Sequence, residues 1–301
     1  MMSLKLLPLL LLSTLVNAGD FHPATTLGIV RNPELIELSG VVTGGINPDV
    51  LWVHNDQNNL PRLYALNLKG ETVATYILDA FNEEGTMAGD WEDIARLPHP
   101  KGHHDLYIAD FGNNAMVKKE HRLLIIEEPG INSAKSSEVG AIEFRAIYFQ
   151  YPRDYVCNSE CLLVHPVSGE VFIVSKSVKE GGKQRPNSAV WSLPDLTKED
   201  SIYTATLVAE SIPAITDRVT GGDISPDGKH LIIRTNTPKA YLWEWKDGES
   251  LKEALKSSPK EIPLADEKGG EAICFSEGGS KLFSVYDGKK KNRPLHIYHK
   301  K

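Results

Sequence analysis

The chain has little cysteine, no excess of basic charge and almost no long apolar sequence. Its three cysteines, Cys157, Cys161 and Cys274, are an odd number, so at least one is a free thiol or is bonded to another molecule. If the segment between Cys157 and Cys161 is extended, their Cα atoms lie ~13 Å apart, and only a turn could pair them. The C-x3-C spacing has no second Cys/His pair beside it, which argues against zinc there. Cys161 and Cys274 read as small inner-strand residues. Basic residues number 33 against 40 acidic ones, and the net charge of −7 argues against a nucleic-acid polymer as partner. The one basic run, Lys289-Lys290-Lys291, reads as a solvated loop. The one long apolar run, Leu6 to Val16, covers 11 residues and is too short to span a bilayer. With Lys5 before it and Val16-Asn17-Ala18 after it, it reads as a signal peptide over residues 1–18. No Cys follows for lipid attachment. A secreted or periplasmic mature chain, residues 19–301, is expected, monomeric and without a membrane span.

What the sequence does contain is a phrase repeated five times. A hydroxyl, carboxylate or glycine precedes a small or acidic residue and a short apolar run. The copies are Ser39-Gly40-Val41-Val42, Glu92-Asp93-Ile94-Ala95, Glu160-Cys161-Leu162-Leu163, Gly222-Asp223-Ile224-Ser225 and Glu271-Ala272-Ile273-Cys274. Each is followed by a turn and a second β-rich run, such as Leu51-Trp52-Val53-His54 or Leu231-Ile232-Ile233-Arg234. The lead residues are 53, 68, 62 and 49 positions apart, which suits four strands per repeat. Degenerate hairpin repeats of this length predict an all-β, single five-bladed β-propeller. A sixth blade is the alternative, hidden in the long second and third repeats. Arg122 to Glu127 and Ile142 to Gln150 read as the outer strands of the second blade. The fifth repeat is one strand short, and a lone strand over Ala24 to Val30 can supply the missing outer strand and close the ring.

Propeller topology brings the starts of the first strands and the ends of the second strands to one mouth of the central channel, where a site is expected. The other mouth reads as ordinary Pro/Gly/Asp turns. The first mouth gathers Ser39, Glu92, Glu160, Asp223 and Glu271 with His54, Asp56, Asp110, Asn113, Lys176 and Arg234. Three glutamates at ~6–7 Å would repel by roughly 2–3 kcal/mol per pair at an effective dielectric of ~20. Protonation, hydration or a cation must relieve this, and oxygen ligands on a rigid ring suit Ca²⁺. Ser39, Glu92, Glu160 and Glu271 are the candidate metal ligands, with neutral oxygens also available from Thr220–Gly222. The competing reading is a water-filled channel. Lys176, Arg234 and Asn113 are candidates to hold a small anionic ligand. Alternatively, the two cations neutralise Asp110, Asp223 and Asp287. His54 reads as a general base or a solvent-facing loop residue. The five tryptophans read as blade packing, with Trp91 also placed to line the mouth.

The phrases Leu38-Ser39-Gly40-Val41, Leu51-Trp52-Val53-His54-Asn55-Asp56, Asp90-Trp91-Glu92-Asp93-Ile94-Ala95, Tyr107 to Asn114, Ser159-Glu160, Asp223 to Gly228 and Gly270 to Ile273 resemble those of exported bacterial β-propeller proteins of unsettled function. More distantly, the chain resembles calcium-activated apyrases, five-bladed propellers with a central Ca²⁺ held in the ring order Ser, Glu, Glu, Ser, Glu. Ser39, Glu92, Glu160 and Glu271 resemble four of those positions, and Gly222 departs from the fourth. The resemblance suggests a calcium-dependent hydrolase of phosphoesters or phosphoanhydrides, and Asp56, Asp110 and His54, from their place at the first mouth, are the catalytic candidates. A non-catalytic extracytoplasmic binding or scaffold propeller is the alternative, as is a lactone or ester hydrolase.

Overall fold

A computed structural model describes residues 20–57, 59–78, 89–131, 138–185, 187–197, 201–267, 269–286 and 293–301. The expected signal segment, Asp287 and the 289–291 lysines lie outside the described residues. The chain opens with β1 (Thr25–Val30). The first blade follows as β2 (Leu38–Thr43), β3 (Val50–Asn55), β4 (Arg62–Asn67) and β5 (Thr72–Leu78). Next come β6 (Trp91–Pro98), β7 (His104–Asp110), β8 (Glu120–Glu127), β9 (Glu138–Ile142) and β10 (Arg145–Gln150). The third stretch holds β11 (Tyr155–Val164), β12 (Val171–Glu180), β13 (Lys183–Gln184), β14 (Val190–Leu193), β15 (Ile202–Thr204) and β16 (Thr206–Ala209). Then follow β17 (Val219–Ile224), β18 (His230–Thr235), β19 (Lys239–Glu244), helix α1 (Leu251–Ala254) and β20 (Lys260–Pro263). The last strands are β21 (Gly270–Phe275), β22 (Lys281–Tyr286) and β23 (Arg293–His299).

These strands form five sheets, the blades of a five-bladed propeller. The turns have the chemistry their residues dictate. In Ser225-Pro226-Asp227-Gly228, Gly228 takes φ 72°, its N–H donates to Ser225 O at 2.8 Å, and Asp227 Oδ1 accepts from Ser225 Oγ at 2.5 Å. The short helix has a full capping box between Ser250 and Glu253.

Among the described residues, the long second and third repeats form no sixth blade. Their extra strands join preceding blades instead. β9 lies parallel along β5 of the first blade, and β15 lies parallel along β10 of the second. The expected strand from Ile142 to Gln150 is therefore two elements in two blades. The fifth blade is completed by β1, antiparallel to β23. Main-chain bonds extend this closure, from His22 N to His299 O and from Lys301 N to Asp20 O, each 2.8 Å.

Five apolar clusters occupy the five seams between blades. A strand buried on both faces serves two seams at once. Val41 faces the fifth blade while Val42 faces the second, and Leu162 and Leu163 divide likewise. This explains the unbroken apolar pairs in each repeated phrase. All five tryptophans are buried in blade packing, Trp91 included at 1% exposure. Cys157 and Cys161 share the extended β11, and all three cysteines are buried free thiols.

Candidate metal centre

Each of the five innermost strands carries a β-bulge at the equivalent place. The pairing register jumps across Ser39 in β2, Glu92-Asp93 in β6, Glu160 in β11, Thr220 in β17 and Glu271 in β21. A bulge leaves a residue without a cross-strand partner and re-aims its side chain. The fourth ring member is thus Thr220, two residues before the expected Gly222. Thr220 Oγ1 donates to Gly270 O at 2.8 Å, just as Ser39 Oγ donates to Glu92 O at 2.7 Å. Each hydroxyl ties its blade to the next.

The acidic members converge. One carboxylate oxygen from each of Asp56, Asp90 and Glu92 lies within 4.8 Å of the other two. Two full charges at that separation repel by about 3 kcal/mol at an effective dielectric of ~20. Asp90 and Glu92 are buried, and Asp56 is half-buried. Glu92 Oε1 and Asp90 Oδ1 have no hydrogen-bond partner in the protein. Glu160, also buried, places its charge beside Glu92 and accepts from Lys176 Nζ at 2.9 Å and Asn158 Nδ2 at 3.1 Å. Lys118 Nζ stands 3.5 Å from Asp90 Oδ2. Gly112 leaves the space open, because a Cβ there would fall 2.0 Å from Glu92 Oε1.

Burial disfavours the ionised forms and raises every carboxyl here. Glu92 is pushed well above the usual range by burial and then by the charges of Glu160, Asp56 and Asp90. Burial carries Asp56 to about 7, and burial with the Glu160 charge carries Glu271 to about 8. Asp90 and Glu160 are raised by burial despite Lys118 and Lys176. Burial opposes the charge on Lys176, but Glu160, Glu271 and Glu92 outweigh it and keep the ammonium protonated. The donor set is all oxygen, it has unspent lone pairs, and it opens toward solvent at Asp56 and Glu271. It fits a hard divalent cation with several oxygen ligands. Asp90 was missed in the sequence, although its place two residues before Glu92 on a strand was a usable signal.

The other expected site residues have different surroundings. His54 is fully buried and so is not solvent-facing. Its ring meets Trp91 edge-on at 5.6 Å, and its Nδ1 pairs with Asn55 O at 3.0 Å. It fits there only because a Cβ at Gly40 would lie 2.2 Å from Nε2. Burial lowers its pKa to about 4. Arg234 is also fully buried and pairs with neither Asp110 nor Asp223. It donates through Nη1 to Glu267 Oε2 and to Ala272 O, each at 2.9 Å. Glu267 was not singled out in the sequence. It also accepts from Ser284 Oγ at 2.7 Å and pairs with His296 Nδ1 at 2.5 Å. Lys176 likewise pairs with Glu160 rather than with Asp110 or Asp223.

Asp110 accepts from Arg122 Nε at 2.5 Å and from Asp90 N at 2.8 Å. With Lys118, His121, Arg122 and Tyr148 it lines a cavity of about 300 Å³ beside the acidic cluster. Asn113 braces its loop, donating to Cys157 O at 3.0 Å and Lys118 O at 3.1 Å while accepting from the N–H groups of Val117 and Lys118. Deeper in the channel, Asp93 accepts from Leu162 N at 2.9 Å, and Asp223 accepts from Phe275 N at 2.8 Å. These two carboxyls stitch blades together.

Fold and site together define a five-bladed propeller with a polar, acidic channel mouth. No protein-family model matches the sequence, and no curated protein matches it. Among solved structures, the chain is similar to the crystal structure of Chaetomium thermophilum Raptor, with a TM-score of 0.46 and 8% identity over 95% of this chain and 29% of that one. That likeness carries no argument about activity.

Proposed function

We propose that the protein is an exported calcium-binding propeller whose ion-bearing mouth hydrolyses small phosphoesters or phosphoanhydrides. One observation carries the metal reading: Glu92 Oε1 and Asp90 Oδ1 are buried without partners, close to Asp56, with the Glu160 charge acting on Glu92. Asp56, Asp90, Glu92 and Glu160 would hold the ion, with Glu271 close enough to feel the Glu160 charge. Thr220 in the fourth bulge makes the ring order Ser, Glu, Glu, Thr, Glu, which supports the resemblance to calcium-activated apyrases. When bound, Ca²⁺ would polarise a phosphoryl oxygen and stabilise its developing charge.

The protein's own groups supply the rest. Lys118 and Arg122, on the wall of the adjacent cavity, are placed to receive an anion's remaining oxygens. Asp56, half-buried with partial access to solvent, would position an attacking water and accept its proton through the oxygen not given to the ion. The competing reading is a non-catalytic binding propeller. Its support is that Arg234, Asn113 and Asp110 are all engaged within the protein.

The test is calorimetric titration of chelator-stripped protein with Ca²⁺, followed by assays on p-nitrophenyl phosphate and nucleoside polyphosphates. One ion per chain should bind, Glu92→Gln should weaken it tenfold or more, and Asp56→Asn should abolish calcium-dependent turnover. A folded protein that binds no Ca²⁺ overturns the metal reading. Binding without turnover on either substrate overturns the hydrolase and leaves the binding propeller.

A further inference from the structure

The opposite mouth of the disc carries a second constellation, at the tip of the β6–β7 hairpin. The sequence there is His99-Pro100-Lys101-Gly102-His103-His104-Asp105. Gly102 N donates to His99 O and His99 N donates to His103 O, both at 3.0 Å, while Gly102 takes φ 80°. This is a type I turn closed by a glycine bulge, with Pro100 fixing the backbone at its first central position. His99 and His103 therefore flank a stiff loop.

Register then sets the side chains. Leu97 lies opposite Asp105 and Pro98 opposite His104, so His99, His103 and Asp105 fall on one face of the hairpin. The contacts agree. His99 Nε2 is 3.0 Å from Asp105 Oδ2, and the His99 and His103 rings stack with centroids 4.3 Å apart and planes 12° apart. One ligand atom from each residue lies within 4.8 Å of the others. The His103 ring makes no side-chain hydrogen bond among the described residues, so a ring nitrogen is available. Arg96, which would repel a cation, is engaged with Glu277 and with His104 Nδ1.

We propose that His99, His103 and Asp105 form a binding site for a borderline divalent cation of the zinc class. Two imidazoles and one carboxylate are the donor set such ions select, whereas Ca²⁺ prefers oxygen alone. Tetrahedral ligation at ~2.0–2.1 Å puts ligand atoms ~3.3 Å apart, near the His99–Asp105 separation already present. All three side chains are half-buried. Small ring rotations can complete the set, and solvent can supply a fourth ligand. Glu92 lies in β6 and His99 one residue past its end, seven positions on or ~23 Å along an extended chain, so this site is independent of the acidic centre.

The test is titration of the chelator-stripped full-length chain with zinc sulfate in saturating Ca²⁺, read by calorimetry and by competition with a chromophoric zinc indicator. One zinc per chain should bind. His103→Ala and Asp105→Asn should each weaken it at least tenfold, while Glu92→Gln leaves it unchanged. Circular dichroism and metal-free melting should show both hairpin variants folded like the parent. The proposal is overturned if the parent binds no zinc, if it binds no tighter than His103→Ala, or if the loss follows Glu92→Gln.

Discussion

At the scale of single residues, the molecule concentrates its ionisable groups where burial works against their charge. Asp56, Asp90, Glu92, Glu160 and Glu271 all have raised pKa values, with Asp56 at about 7 and Glu271 at about 8. A raised acid stabilises the fold fully below its unfolded pKa, and that contribution fades as pH climbs through the folded one. The metal-free protein should lose melting temperature between about pH 4 and pH 8. Ca²⁺ should flatten that slope, because it favours the ionised forms, and its binding should release protons. Melting curves across this range with chelator and with Ca²⁺ check this. A flat metal-free profile would show that the carboxyls do not oppose one another. The convergence of Glu92 and Glu160 was legible in the repeated phrase. The fourth ring residue was not, because Gly222-Asp223 mimics the lettering of Glu92-Asp93. The bulge at Thr220 is set by pairing with β18, which inspection of one strand does not reveal.

At the scale of elements, the second strands explain which polar residues are structural. His54, Ala109, Val174, Arg234 and Val285 occupy equivalent places opposite the residue after the bulge or beside it. Three of the five are apolar, so His54 and Arg234 are polar occupants of a packing position. Gly40 and Gly270 make room for them, since a Cβ at Gly270 would meet Arg234 Nη2 at 1.6 Å. Burial alone would raise Glu267, but Arg234 and the hydrogen bonds from His296 and Ser284 outweigh it and hold its carboxyl below the usual range. Glu267→Gln should therefore cost about 3–5 kcal/mol, because it strands a buried guanidinium. Denaturant unfolding measures this, and a loss under 1 kcal/mol would show that the pair is solvated. Alternation and turn residues located the strands, but two features were beyond them. Parallel addition of β9 and β15 to earlier blades depends on tertiary reach. The His99–Asp105 hairpin lies at the mouth that reads as ordinary turns, although a Pro-Lys-Gly turn with histidine on both flanks was the available signal.

At the scale of the whole molecule, stability is shared among five seams and one closure. Gly28 marks the closure's tightest point, where β1 passes the Lys69-Gly70 turn of the first blade. A Cβ on Gly28 would lie 2.3 Å from the Lys69 carbonyl carbon. Ile29 N donates to Lys69 O at 3.1 Å in the same contact. Backbone cannot yield as a flexible side chain does, so Gly28→Ala should cost about 1–3 kcal/mol. At roughly 2–4 °C per kcal/mol for a chain of this size, thermal melting resolves it. An unchanged melting temperature would show that β1 contributes little to the ring.

The antiparallel pairing of β1 with β23 also places the molecule in time. A chain emerging from its N-terminus makes β1 among its first strands and must hold it without a partner until β23 appears. During that interval the edges of β1 and β22 that β23 later covers are bare and open to proteases or to strands of neighbouring chains. A chain that stops short of β23 never hides them. Resistance to digestion thus becomes a readout of ring closure by β1 and β23.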